Sequence, residues 1–250
     1  MSLFIIILAN RNSNNRHNFS NKIVLVTGGT GALGSSITKA FIESYATVIS
    51  SYHNDKEIEK IQTDTKPTLQ LIKANITNEE EVEKLVSEIL DKYGHIDILV
   101  NVVGAFIGGK TVVELDEKEW DLMMAMNLKS AFLISKHVTK HMVASKYGKI
   151  IHISSKKGLH AEGSDSAYAA SKSGLIRLVE SLSEETKESN INVNCIMPSI
   201  IDTQANRKAM PNADFNKWVE PDDLANVVLF LSSEEAKTIT GAAIPTFGVL

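Results

Sequence analysis

Short apolar runs rich in β-branched residues alternate with longer amphipathic stretches along most of the chain. Residues 23–27, 46–51, 69–74, 96–101, 149–154, 192–196 and 242–244 form the short runs and predict strands. Most are continuously apolar rather than alternating, the pattern of strands buried on both faces of a parallel sheet. Between them the spacing predicts helices over 33–44, 78–92, 117–142, 166–188 and 221–231. Thr77 with Glu80, and Asp116 with Glu119, have the spacing of capping boxes. Strand–helix alternation of this kind predicts an α/β fold: one doubly wound parallel sheet of about seven strands, with right-handed crossovers and helices on both faces. Ligands of such sheets lie at the carboxyl ends of the strands, so the loops there carry the candidate chemistry.

The first residues stand outside that pattern. Residues 3–9 are apolar, but as a helix they span only ~10 Å against ~30 Å of bilayer hydrocarbon. Arg11 and Arg16 follow the apolar stretch, in an Asn-rich run, whereas a secretory signal places positive charge before it. Residues 1–21 therefore read as an N-terminal extension, loosely ordered or adding a strand, and 22–250 as a single domain. A chain of 250 residues fits one α/β core. With 43% hydrophobic and 22% charged residues it is ordinary globular composition, which excludes a disordered or fibrous protein. A net charge of -4 gives no basic footprint, so neither nucleic acid nor a membrane is expected as a partner. Cys195, the one cysteine, allows no internal disulfide and no cysteine-rich metal cluster. A cytoplasmic protein without a metal site is the expectation.

The first predicted strand runs directly into Thr27-Gly28-Gly29-Thr30-Gly31-Ala32-Leu33-Gly34. Glycines let backbone N–H groups approach a ligand closely, and the helix that follows offers unpaired N–H groups and a positive dipole end to a pyrophosphate. A turn required only for packing has the same look, but its place after the first strand of a βαβ unit favours a nucleotide and a Rossmann-type domain. No Gly-Lys-Ser/Thr follows, so it is not a Walker loop. Further on, Tyr168 and Lys172 are four residues apart on a predicted helix, hence on one face, and Leu175, Val179 and Leu182 continue that face inward. Alone, such a pair also fits two side chains snorkelling at a helix end. Ser155 ends a strand thirteen residues before Tyr168. In the helix 117–142, the stripe Trp120, Met124, Asn127, Ala131, Ile134, Val138 contains one hydrogen-bonding side chain, Asn127. A buried amide must find partners, whether in a structural or a functional role.

These motifs, in this order and spacing over residues 22–248, resemble the short-chain dehydrogenase/reductase family. The glycine turn is similar to the family's Thr-Gly-x-x-x-Gly-x-Gly, with Ala32 at the middle glycine. The resemblance implies a dinucleotide held by Gly28, Thr30, Gly31, Leu33 and Gly34. It puts Tyr52 where an acidic residue would select NAD. Ser51 and His53 beside it can contact a 2′-phosphate, although Gly31 stands where many NADP-users carry a basic residue; the balance leans slightly to NADP(H) over NAD(H). Asn75 and Ile76 fall at the adenine. Asn101 and Gly104 match the Asn-Asn-Ala-Gly element, from which Val102 and Val103 depart. Pro198, Ile201 and Thr203 match the stretch that clamps the nicotinamide carboxamide, with Ser199 for its glycine.

The resemblance further implies that Asn127, Ser155, Tyr168 and Lys172 are catalytic in a carbonyl/alcohol interconversion. Tyr168 is then the acid/base, Ser155 polarises the substrate oxygen, Lys172 lowers the phenol pKa and binds ribose, and Asn127 anchors a proton-supplying water chain. A free phenol near pKa ~10 needs ~4 kcal/mol of tuning to act as a base at neutral pH, and a nearby cation works in that direction. The substrate is a small carbonyl or alcohol, and a homodimer or homotetramer is implied through helices 117–142 and 166–188. Residues 204–219 read as a polar substrate loop, of which 206–215 look similar to a loop of dihydropteridine reductase. Reduction of a pterin or another C=N bond is therefore an alternative, as is a nucleotide-binding sensor without turnover.

Overall fold

The computed structural model describes residues 17–60 and 68–249. Seven parallel strands form one sheet: β1 Ile23–Thr27, β2 Thr47–Tyr52, β3 Leu69–Lys73, β4 Ile98–Asn101, β5 Gly148–Ile153, β6 Ile191–Pro198 and β7 Ala243–Thr246. Their order is β3-β2-β1-β4-β5-β6-β7. The chain reverses its winding between β1 and β4, and a crevice opens there at the carboxyl ends of the strands. Successive side chains of a strand face opposite ways, so a doubly covered strand must be apolar throughout. In β1, Leu25 packs with Val82, Leu85, Leu133 and Val179 of the helices on one face, while Val24 and Val26 pack with Ile37, Phe41 and Val228 on the other.

The helices are α1 Ala32–Glu43, α2 Glu79–Tyr93, α3 Glu117–Met124, α4 Ser130–Ser145, α5 Ser166–Thr186, α6 Gln204–Ala209 and α7 Pro221–Ser232. The main departure from the sequence reading is the helix expected over 117–142. It is two helices joined by a π-helical turn, Ala125–Lys129, in which the Ser130 N–H reaches back to the Ala125 carbonyl. The Ser130 hydroxyl donates to the Met126 carbonyl at 2.6 Å, satisfying an acceptor that the widened turn frees. Glu119 reaches back to the Asp116 N–H at 3.4 Å, as its capping-box spacing predicts. The Thr77–Glu80 expectation is corrected by one residue: Asn78 caps α2, accepting from the Glu81 N–H at 3.0 Å. The polar loop 204–219 contains a short helix, α6, capped by Thr203.

Of the expected extension, residues 1–16 lie outside the described residues. The next few are packed: Phe19 is buried against Phe41 at 5.1 Å between ring centroids, and its N–H donates to the Ser44 carbonyl. The packed chain thus already includes residues ahead of Lys22. Among the described residues no helix is long and apolar enough to cross a membrane, and no group of three or more His, Cys, Asp or Glu is placed to hold a metal ion.

Candidate active site

A cavity of about 710 Å³ runs along the crevice, from the glycine turn and the end of β2 to Ser155 and Tyr168. At the turn, Gly28 has φ +64, and a Cβ on Gly34 would land on the Gly28 carbonyl. Both glycines are therefore required by backbone geometry. Gly31 caps α1 without a side-chain hydrogen bond, and no acidic residue occupies the first turn. These are the conditions under which helix N–H groups remain for an anion. Ala32 is exposed at the cavity wall, so its methyl replaces the family's glycine without a packing conflict inside the protein.

At the other end, Ser155 follows β5, and its hydroxyl accepts from the Lys157 N–H at 3.2 Å. That contact uses an oxygen lone pair and leaves the O–H to donate. Ser155 also shares a hydrogen bond with Tyr168, which pulls the phenol pKa down, as does the charge of Lys157. Burial outweighs both and holds Tyr168 above its ordinary value. The Phe106 ring meets the Tyr168 ring edge-on, 4.9 Å between centroids. Lys172 is buried, and its Nζ donates to the Ile153 carbonyl at 2.8 Å. Burial pushes its pKa down to about 8. Ser154 fastens β5 to the same helix by donating to the Lys172 carbonyl.

Asn127 sits inside the π-helical turn and is fully buried. Its Oδ1 accepts from the Ala105 N–H at 2.9 Å, and its Nδ2 donates to the Ala105 carbonyl at 3.0 Å and to Ser171 Oγ at 3.1 Å. The extra residue of a π-turn projects this side chain toward the loop after β4. Gly104 lies between the two functional groups: an added Cβ would fall 2.9 Å from Asn127 Oδ1 and 3.2 Å from Lys172 Nζ. A side chain at Gly104 would thus crowd Asn127, which its hydrogen bonds to Ala105 and Ser171 hold in place.

Most of the sequence-derived residues share the cavity wall: Gly28, Thr30, Gly31, Leu33, Gly34, Tyr52, His53, Asn75, Ile76, Gly104, Ser155, Tyr168, Lys172, Pro198 and Ile201. Three stand behind it. Asn101 is buried beneath the glycine turn, where its Oδ1 accepts from Thr27 Oγ1 at 2.5 Å and its Nδ2 meets His152 Nδ1 at 3.3 Å. Thr203 spends its hydroxyl on capping α6, and Asn127 faces Ala105 and Ser171. In the loop 204–219, Arg207 pairs with Asp202 at 2.5 Å and lies over the Phe215 ring. Glu57, Phe106 and Met126 also line the cavity and were not singled out by the sequence. Only Met126 carried a signal, as the neighbour of Asn127.

The short chain dehydrogenase model matches residues 22–214, most of the chain. The chain belongs to the short-chain dehydrogenase family. It is 28% identical over 240 residues to a 3-oxoacyl-(acyl-carrier-protein) reductase of Thermotoga maritima, covering 92% of this chain and 97% of that one. It is 32% identical over 234 residues to an NAD-dependent glycerol dehydrogenase of Listeria innocua, covering 90% and 91%. Among solved structures, gox2181 superposes with a TM-score of 0.85 at 27% identity over 92% of this chain and 96% of that one. The NADP-bound structure of ElxO shares the fold, with a TM-score of 0.86 at 24% identity over 91% and 97%. This member of the family is an enzyme, an NAD(P)-dependent oxidoreductase acting between carbonyl and alcohol.

Proposed function

We propose that the cavity holds NAD(P)(H) along the glycine turn and that Tyr168 exchanges a proton with the substrate oxygen while hydride moves. The observation that carries this reading is the grouping of Ser155, Tyr168 and Lys172 on one wall of a cavity whose other end is a glycine-built helix N-terminus. The turn fits the dinucleotide because its glycines leave no Cβ over the backbone and α1 has neither a capping side chain nor an acidic residue in its own first turn. When bound, the nicotinamide supplies or accepts the hydride and, oxidised, adds a positive charge near the phenol.

Raised by burial, Tyr168 keeps its proton at neutral pH, the state needed to protonate a reduced carbonyl oxygen. Ser155, its lone pair already engaged by the Lys157 N–H, directs its O–H at the developing charge. In the alcohol direction Tyr168 must shed its proton; the Lys157 charge already favours the phenolate, and the Lys172 ammonium, 5.8 Å from the ring centroid, would add to it. With a pKa near 8, that ammonium is mostly charged at neutral pH and is lost as pH rises further. Lys172 also binds the ribose in this reading, and Asn127 holds the loop after β4 at the right height. Ser51, Tyr52 and His53 support NADP(H), and Glu57 opposes it.

The substrate is a small carbonyl or alcohol compound. A homodimer or homotetramer is supported by Leu122, Phe132 and Val143, large apolar side chains left exposed on α3 and α4. The lone buried thiol of Cys195 supports a cytoplasmic setting. Pterin or other C=N reduction is the second reading, resting on the loop 206–215. Ser155→Ala separates the two. With dinucleotide binding unchanged, a loss of kcat of about 100-fold or more on carbonyls is expected. Near-normal turnover of a quinonoid pterin by the same variant would instead establish the second reading.

A further inference from the structure

At the end of the cavity next to β2, Tyr52 brings no charge to the position where the fold usually reads the dinucleotide ribose. A carboxylate reaches that wall from elsewhere. Glu57 lies on the 3-10 turn Asp55–Lys60 that follows β2, and its Oε2 accepts from the Thr30 hydroxyl of the glycine turn at 2.5 Å. Thr30 is buried and Glu57 partly so, which fixes the carboxylate against the phosphate-binding turn rather than in open solvent. Among the described lining residues Glu57 is the only Asp or Glu, and Lys172, at the opposite end, is the only Lys or Arg. Nearby Lys73 is engaged by Asp55 at 2.7 Å, outside the lining.

We propose that Glu57, held on the Thr30 hydroxyl, makes the enzyme select NAD(H) over NADP(H). The inference rests on the reading that this cavity holds the dinucleotide. Two effects of one carboxylate point the same way. Oε1, not used by Thr30, can accept a hydrogen bond from a ribose hydroxyl. A 2′-phosphate, nearly doubly charged at neutral pH, would meet a fixed negative charge in a partly desolvated wall. His53 is the one other titratable side chain on this part of the wall besides Tyr52. It is exposed.

The test is equilibrium binding of NADH and NADPH to the full-length protein, by calorimetry or by nucleotide fluorescence, without substrate. The expected result is at least tenfold tighter binding of NADH. Glu57→Gln keeps an acceptor for Thr30 and removes the charge. It should tighten NADPH binding fivefold or more and weaken NADH binding, so that the preference for NADH is lost, and leave the melting temperature unchanged. Tighter NADPH binding by the unmodified protein overturns the inference and leaves the proposed function standing, as does an affinity ratio that Glu57→Gln does not move. Binding of neither nucleotide overturns both.

Discussion

At the Tyr168 end of the cavity, the functional side chains stand just past the end of β5, on α5 and on the π-helical turn, and Asn127, Ser155 and Lys172 are buried. At the β2 end, Tyr52, His53 and Glu57 stand on a strand tip and a single 3-10 turn, partly or fully exposed. The first end is over-determined. Lys172 alone is fixed by Ile153, by the close approach of Gly104 and by Ser154 bonded to its carbonyl. The second end has fewer and more exposed ties, among them the Glu57–Thr30 hydrogen bond and the Asp55–Lys73 ion pair. Chemistry that depends on geometry within a fraction of an ångström belongs on rigid elements, whereas a choice between two related nucleotides needs only a charge of the right sign nearby.

If that division holds, the largest single-residue effect belongs to the phenol. Tyr168→Phe removes the proton donor but leaves the ring against Phe106. A drop of about 10³–10⁴ in kcat is expected, with dinucleotide affinity within about threefold of the parent. Single-turnover kinetics and binding titrations on the same preparation check it. A loss concentrated in binding instead of turnover would mean that this end serves recognition rather than chemistry, and the contrast between the two ends would break.

The same contrast governs what the sequence makes legible. Tyr168 and Lys172 can be read because a helix converts a spacing of four into one face, and Ser155 because a strand end is punctuated by the turn that follows. Gly104 is read only through its match to the family element, and the structure supplies a reason for it, since an added Cβ would crowd Asn127 and Lys172. The π-helical turn cannot: its stripe of apolar positions still steps by three and four, and the one extra residue appears only when the backbone is followed. The capping of α2 slips by one residue because Thr77 and Asn78 are both good caps, and Thr77 is instead bonded to Asn75. Glu57 is invisible for a different reason. It lies in the polar run Asp55–Lys60, which has no burial pattern, and its partner Thr30 is 27 residues away in the sequence. Contacts between loops are set by the sheet that brings the loops together, so no local spacing announces them.

The rigid end also rests on a buried imidazole, and its acid response is the next largest effect expected. His152 on β5 is fully enclosed, between Asn101 Nδ2 at its Nδ1 and Ser135 Oγ at its Nε2. Burial pushes its pKa down to about 3, from 6.5 in the unfolded chain, with the Lys172 charge adding to the depression. Above pH 6.5 the imidazole is neutral in both states. Below it, the unfolded chain takes up a proton that the folded protein refuses, so stability falls with pH until about 3. Between pH 6.5 and 4 this amounts to about 3 kcal/mol. Denaturant melts across that range should show the loss, and His152→Gln, neutral throughout, should flatten the slope even where it lowers stability at pH 7.5. Equal slopes in both proteins would remove His152 as the source.

The smallest effect is expected at His53, and it bears most directly on whether the β2 end is as loosely built as its exposure indicates. His53 lines the cavity just past the end of β2 and is exposed. A contact made there is screened by water and held by no second residue in the manner of Thr30 and Glu57. His53→Ala should therefore alter the affinity for NADH or NADPH by threefold or less, and kcat not at all, in titrations and steady-state assays at pH 7.5. A tenfold loss confined to NADPH would mean that the imidazole grips a 2′-phosphate. The β2 end would then hold a second reader of opposite preference to Glu57, and the nucleotide choice would depend on the balance of the two rather than on one carboxylate.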